Sequence, residues 1–113
     1  MKQLARIDCA ILSLVLKRQW FEAIDRNEKE EEFRTSTDYW TRRIQNWELR
    51  ANPLDGTRRP RVVEFRLGYQ ANAPRMAWIS DWIERQGSAQ TGSCEPVEQH
   101  FAIQLLDRVE LVD

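Results

Sequence analysis

The stretch KRQWFEAIDRNEKEEEFR, residues 17–34, changes its hydrophobic period half-way, and that change decides the fold. Over residues 17–26 the apolar side chains Trp20, Ala23 and Ile24 fall on one helical stripe, widened by Phe21. Asn27 stands where this helix must stop, and asparagine tolerates the left-handed conformation that ends many helices. Residues 31–34 then read as a short strand with period two: Glu30, Glu32 and Arg34 on one face, Glu31 and Phe33 on the other. Only the face carrying Phe33 looks core-directed. Glutamate is disfavoured in strands, so three in succession call for compensating partners, and Lys29 and Arg34 are the nearest cations.

Working outward, residues 11–16 form an apolar strand before the helix. Thr35, Ser36, Thr37 and Asp38 offer N-caps for a second helix whose buried stripe is Trp40, Ile44 and Trp47. Residues 52–60, NPLDGTRRP, make a turn-rich loop punctuated by Pro53, Gly56 and Pro60. Residues 61–69 alternate, with Val63, Phe65, Leu67 and Tyr69 on one face and Val62, Glu64 and Arg66 on the other, which reads as a half-buried strand. Strands follow at 76–83 and 101–106, separated by a polar loop at 87–96. Strand, helix, strand, helix and three further strands imply an α+β domain with a mixed, mostly antiparallel, barrel-like sheet and two main helices.

With 113 residues, one domain over 1–113 is expected. Seventeen basic residues against 18 acidic ones, a net charge of -1, exclude wholesale electrostatic capture of nucleic acid or anionic membrane. The charge is nevertheless segregated. Between 42 and 75 arginines outnumber acids eight to three, whereas between 22 and 32 six acids face two bases. Only Lys2, Lys17 and Lys29 are lysines, and guanidinium suits phosphate and base-edge recognition better than ammonium. Lys2 and Arg6 ahead of the apolar run at 9–16 imitate a secretory leader, but Asp8 interrupts it and no small-residue cleavage pattern follows. The chain is therefore expected to be cytoplasmic, with no membrane span and with Cys9 and Cys94 as free thiols. His100 is the single histidine, so neither a histidine-rich metal site nor a paired-histidine ribonuclease site is available, and no cofactor or metal is expected.

Residues 15–34, VLKRQWFEAIDRNEKEEEFR, resemble the opening of ASCH domains, members of the PUA-like superfamily, in which a strand and helix precede a motif of the form G-x-K-x-x-E-x-R. Asn27 stands at the motif's glycine, Lys29 at its lysine, Glu32 at its glutamate and Arg34 at its arginine. DYWTRRI (38–44) is similar to the aromatic-rich helix after the motif in small phage and bacterial members, VEFRLGY (63–69) to their strand ending in R-N-G-Y, and HFAIQLLDRVEL (100–111) to their last strand. Leu67 replaces the usual asparagine there and Leu106 the usual glycine. The resemblance implies a PUA-like β-barrel with a cleft beside the motif, in a family proposed to bind RNA. One branch removes acyl groups from N4-acetylcytidine with a lysine and a threonine, and Glu32 occupies the threonine's position.

Three functions follow as expectations. The first is an RNA- or nucleotide-binding module. Lys29, Arg34, Arg43 and Arg66 act there on phosphate, Glu32 selects by hydrogen bonding, and Tyr39 and Tyr69 serve as aromatic contacts. The second is a hydrolase of RNA or of modified nucleosides of the N4-acylcytidine type, with Lys29 and Glu32 catalytic. The third is a protein-binding accessory factor.

Overall fold

The computed structural model describes residues 1–86 and 99–113. The expected polar loop at 87–96, with Cys94, lies outside the described residues. The chain runs β1 (Lys2–Ala5), a 3-10 turn (Arg6–Asp8), β2 (Ala10–Val15), α1 (Arg18–Asp25), β3 (Glu31–Thr35), α2 (Asp38–Ala51), β4 (Arg61–Arg66), β5 (Arg75–Arg85) and β6 (His100–Val112). Among the described residues this is an α+β fold with two helices and a mixed sheet, as the order of periodicities implied, the sheet having six strands rather than the five expected.

Each local signal has its counterpart. Asn27 sits at φ 60°. Its N–H donates to Ile24 O at 3.0 Å and the Glu28 N–H donates to Ala23 O at 2.8 Å, the bond pair that closes a Schellman ending to α1. Thr37 is the N-cap of α2, its hydroxyl accepting from Trp40 N at 3.2 Å. Ile44, Trp47 and Ala51 bury the inner face of α2, and the Trp47 indole donates to Ala10 O at 2.9 Å, pinning the helix to β2. In the following loop the Asp55 carboxylate accepts from the Thr57 amide (3.0 Å) and hydroxyl (2.7 Å), which holds its carboxyl below the ordinary value.

The sheet order is β1-β6-β5-β4-β2, with β3 also on β6. β4, β5 and β6 form an antiparallel meander; β2 joins β4 and β1 joins β6 in parallel. Val109 pairs with both Ala77 of β5 and Lys2 of β1, and Ala102 with both Ile83 of β5 and Phe33 of β3. β3 and β1 therefore share the edge of β6 turned away from β5. Between Ile79 and Ser80 the β6 partners step from Asp107 to Leu105, a bulge that leaves Leu106 57% exposed. No pairing among the described residues closes the sheet into a barrel.

Several boundaries and faces differ from the sequence reading. β1 was not expected, because its half-exposed residues carry no apolar alternation. β4 ends at Arg66 rather than at residue 69: Gly68 takes φ 99° and Leu67 N donates to Pro74 O, so the chain has already turned. Nor is β4 half-buried. Val62, Val63, Glu64 and Phe65 are all buried, since β4 is an inner strand with α2 over one face and a second cluster of Leu4, Cys9, Ala77, Val109 and Leu111 over the other. Cys9 belongs to that cluster as a free thiol, and burial pushes its pKa up, which suits an unreactive packing role. Of five tryptophans, Trp47 and Trp78 are buried and Trp20, Trp40 and Trp82 only partly so.

The Asn27 turn sets where Lys29 emerges, and its energetics are directly measurable. Asn27→Gly should leave stability within about 0.5 kcal/mol of the parent, while Asn27→Val, β-branched at positive φ, should lower it by about 1–2 kcal/mol in urea denaturation.

A buried carboxylate at the start of an edge strand

The face of β3 that carries Glu32 and Arg34 points inward. Glu32 pairs with Ile103 and Arg34 with Phe101, both core residues, whereas Phe33 pairs with Ala102 beside the exposed Ile83. The expectation that the Phe33 face would be the core-directed one is reversed. Trp20 of α1 and Trp40 of α2 flank this inward-facing pair, and the charged side chains there are compensated by one another rather than by water.

Glu32 is 1% exposed. Its Oε1 accepts from Lys29 Nζ at 2.8 Å and from the Phe33 amide at 3.2 Å; its Oε2 accepts from Arg34 at 2.5 Å. The side chains of Lys29 and Arg34 are each only 8% exposed. Burying a carboxylate is tolerable only when it is paired and hydrogen-bonded, and here two cations and an amide do that. Aromatic rings surround the cations: Lys29 Nζ lies 4.7 Å from the Trp20 ring centroid and 5.4 Å from that of Phe33, and the Arg34 guanidinium lies 5.0 Å from Trp40.

The same charges guard a sheet edge. Leu105 N donates to Glu30 O, so Glu30 and every second residue after it turn their backbone groups toward β6, leaving those of Phe33 on the outer side. The Phe33 N–H goes to Glu32 Oε1 and the Phe33 carbonyl accepts from Arg34 at 2.8 Å, so β3 offers no open ladder there. The remaining charges of residues 26–34 are also placed. Arg26 forks onto Glu28 at 3.0 Å through two nitrogens and holds the Glu28 carboxyl below its usual value, and Arg85 forks onto Glu31 at 3.0 and 2.8 Å. Glu30 faces solvent.

Over Glu32 and Arg34 opens a hollow of about 250 Å³, walled by Trp20 of α1, Trp40 of α2 and Val15, with Lys17 at its rim. A wider depression of about 600 Å³ runs along the other side of Lys29, past Phe33 and Gln104. The smaller hollow is the better candidate site, because Glu32 and Arg34 of the ion cluster line it together with two partly buried indoles, whereas Lys29 lines the wider depression. Trp20, Trp40 and Lys17 were not among the expected site residues: helical spacing assigned both tryptophans to core stripes. The signal that finds them is position, since each lies on a helix directly flanking the motif.

The other expected site residues separate into two groups. Tyr39, 61% exposed, packs edge-on against Trp40 with centroids 5.1 Å apart, and the Arg43 guanidinium lies over both rings at 5.8 and 5.0 Å. These two extend the aromatic wall outward, although Arg43 also donates to Ser13 O at 2.8 Å. Arg66 and Tyr69 do not line the hollow. Arg66 pairs with Val15, but its guanidinium donates to Gln70 O at 2.8 Å in the β4–β5 turn, where Tyr69 is 85% exposed. His100 is buried, edge-on to Phe33 at 5.5 Å. Among the described residues no three His, Cys, Asp or Glu side chains are grouped to hold a metal, and no helix is long and apolar enough to cross a membrane.

If the cluster is a mutually dependent ion triad, removing one cation should cost more than removing a charge pair. Lys29→Met is expected to lose about 3–5 kcal/mol, and adding Glu32→Gln to recover part of it, in a double-mutant cycle read by chemical denaturation. A single-variant cost below about 1 kcal/mol would match an exposed pair instead. Comparison of the chain with protein-family models, with curated proteins and with solved structures finds no match.

Proposed function

We propose that the hollow receives one unstacked base of RNA, or of a free nucleotide, against Trp20 and Trp40. The observation that carries this reading is a pair of partly buried indoles, from two different helices, lining one hollow together with Glu32 and Arg34. A planar π-face between aromatic walls is how single-stranded bases are held without duplex geometry, at about 1–3 kcal/mol per stacked base. Glu32 Oε1 already has two donors, whereas Oε2 has one from Arg34 and retains acceptor capacity for a base N–H. Lys17 at the rim and Arg43 beside Tyr39 are placed for phosphate. Arg66 and Tyr69 drop to a peripheral role.

The reading extends to class. The Lys29, Glu32 and Arg34 arrangement behind the Asn27 turn, and β1 and β3 sharing one edge of β6, support an ASCH-type module of the PUA-like kind with an incompletely closed barrel. The hydrolytic alternative has less behind it. Lys29 and Glu32 are bonded to each other, and the Thr37 hydroxyl is engaged as a helix cap.

Titration with short single-stranded RNA at low salt, followed by tryptophan fluorescence, tests the proposal. Quenching is expected, with Trp40→Leu weakening affinity by about 1–3 kcal/mol and Lys17→Ala lowering the salt slope by about one. Absence of any fluorescence change or affinity at low salt would remove the binding role.

A further inference from the structure

Three features fall in order along β2, the last strand of the sheet. Ser13 comes first, and its carbonyl accepts from Arg43 at 2.8 Å. Val15 and Leu16 come next and line the hollow. Lys17, still extended at φ -67° and ψ 152°, follows at its rim. From Ser13 to Lys17 the extended chain covers about 13 Å at a rise of ~3.3 Å per residue.

A cation therefore stands to either side of the hollow. Lys17 is exposed, and among the described residues neither it nor Arg43 is in an ion pair. Arg43 spends one N–H on Ser13, and a guanidinium has five. Glu32, the one acid among the lining residues, is held by Lys29 and Arg34 and neutralises neither rim cation.

The aromatic surface also continues past the hollow. Trp40 lines it, whereas Tyr39 does not; the Tyr39 ring stands at 72° to Trp40 and is 61% exposed, so it can carry a second planar group. The Arg43 guanidinium lies near both ring centroids, 5.8 Å from Tyr39 and 5.0 Å from Trp40. It is thus placed where two bases, one in the hollow and one on Tyr39, would be joined. A nucleoside 5′-monophosphate has phosphate on one side of its sugar and can meet only one of the two cations. An internal nucleotide of a strand has phosphate on both sides.

We infer that the site takes a single strand of RNA, at least two nucleotides long, rather than a free nucleotide. One base enters the hollow, its neighbour stacks on Tyr39, the phosphate between them meets Arg43, and the phosphate on the other side meets Lys17. The inference rests on the reading that the hollow holds a base, and adds the length and course of the ligand.

The test is tryptophan-fluorescence titration at low salt with the nucleoside 5′-monophosphate, the nucleoside 3′,5′-bisphosphate and the homotrinucleotide of each of the four bases. For the base bound best, the trinucleotide should bind about tenfold or more tightly than the monophosphate, with the bisphosphate between them. Tyr39→Leu should reduce the ratio of trinucleotide to monophosphate affinity to about threefold, and Arg43→Gln should abolish the advantage of the bisphosphate. Equal affinity for monophosphate and trinucleotide would overturn the inference and leave the base-binding reading standing. A trinucleotide advantage undiminished in both variants would overturn it as well, and no binding by any of the three ligands would overturn both.

Discussion

The constraint on which the rest depends is the charge of Glu32, buried on the core side of an edge strand. A carboxylate there must be matched by cations that are themselves enclosed, and every neighbouring element is arranged to supply them. The positive φ of Asn27 ends α1 and sends the chain back so that Lys29 reaches Oε1; the two-residue period of β3 brings Arg34 to Oε2. Trp20 on α1 and Trp40 on α2 then cover the two cations. The hollow is what remains where those two helices part over the cluster. A buried ion cluster is weak evidence of stability for its own sake, since apolar residues of the same size commonly do as well. That it sits under an opening walled by indoles is what gives it functional interest.

Arginine has a structural use here that the composition does not reveal. β2 ends the sheet, and its Ile11 and Ser13 carbonyls accept from Arg50 and Arg43 at 2.8 Å, donors seven residues apart on α2. Arg59 reaches Ile7 O, Arg66 reaches Gln70 O and Arg34 reaches Phe33 O. Long forked donors thus satisfy carbonyls at strand edges and turns, which both blocks edge-to-edge pairing and accounts for much of the arginine between 42 and 75 without any nucleic acid. Arg61 joins Glu48 and Asp81 in a further ion network. The excess of arginine in that segment is therefore not a measure of affinity for phosphate.

What was legible in the sequence was whatever local chemistry decides. The change of period at residues 17–34, the stop at Asn27, a cap among residues 35–38 and the turn-rich loop at 52–60 depend on neighbours in the chain; the structure has the stop at Asn27, makes Thr37 the cap and bonds Asp55 to Thr57. What was not legible depends on elements distant in sequence. The inward face of β3 is set by its register on β6, which puts Glu32 and Arg34 opposite the core residues Ile103 and Phe101, and period two alone made Phe33 look like the buried side. The burial of Glu64 is set by the N-terminal segment and β6 folding over the second face, neither of which alternation in β4 announces. Lys29, Glu32 and Arg34 meet as one ion cluster, of which only Glu32 and Arg34 line the hollow, and Tyr39 and Arg43 lie against Trp40. Tyr69 parted from the group because β4 ends at Arg66 and the chain turns through Gly68 at φ 99°, and Arg66 because its guanidinium goes to Gln70 O in that turn.

The saturation of the ion cluster also bears on where recognition energy can come from. Lys29 and Arg34 already sit against Glu32 and aromatic rings, so moving either onto a phosphate would leave a buried carboxylate short of a partner, a loss comparable to what the phosphate interaction would return. The cluster therefore suits a rigid floor, offering one acceptor position in a fixed direction, better than it suits an electrostatic clamp. Under the proposed binding role, attraction would come from the walls, through stacking on Trp20 and Trp40, and from the rim, where Lys17 is exposed. A net charge of -1 agrees with that division, since a ligand held by stacking and one oriented hydrogen bond needs no strongly basic surface. On this physical account, affinity follows the tryptophans and selectivity follows Glu32.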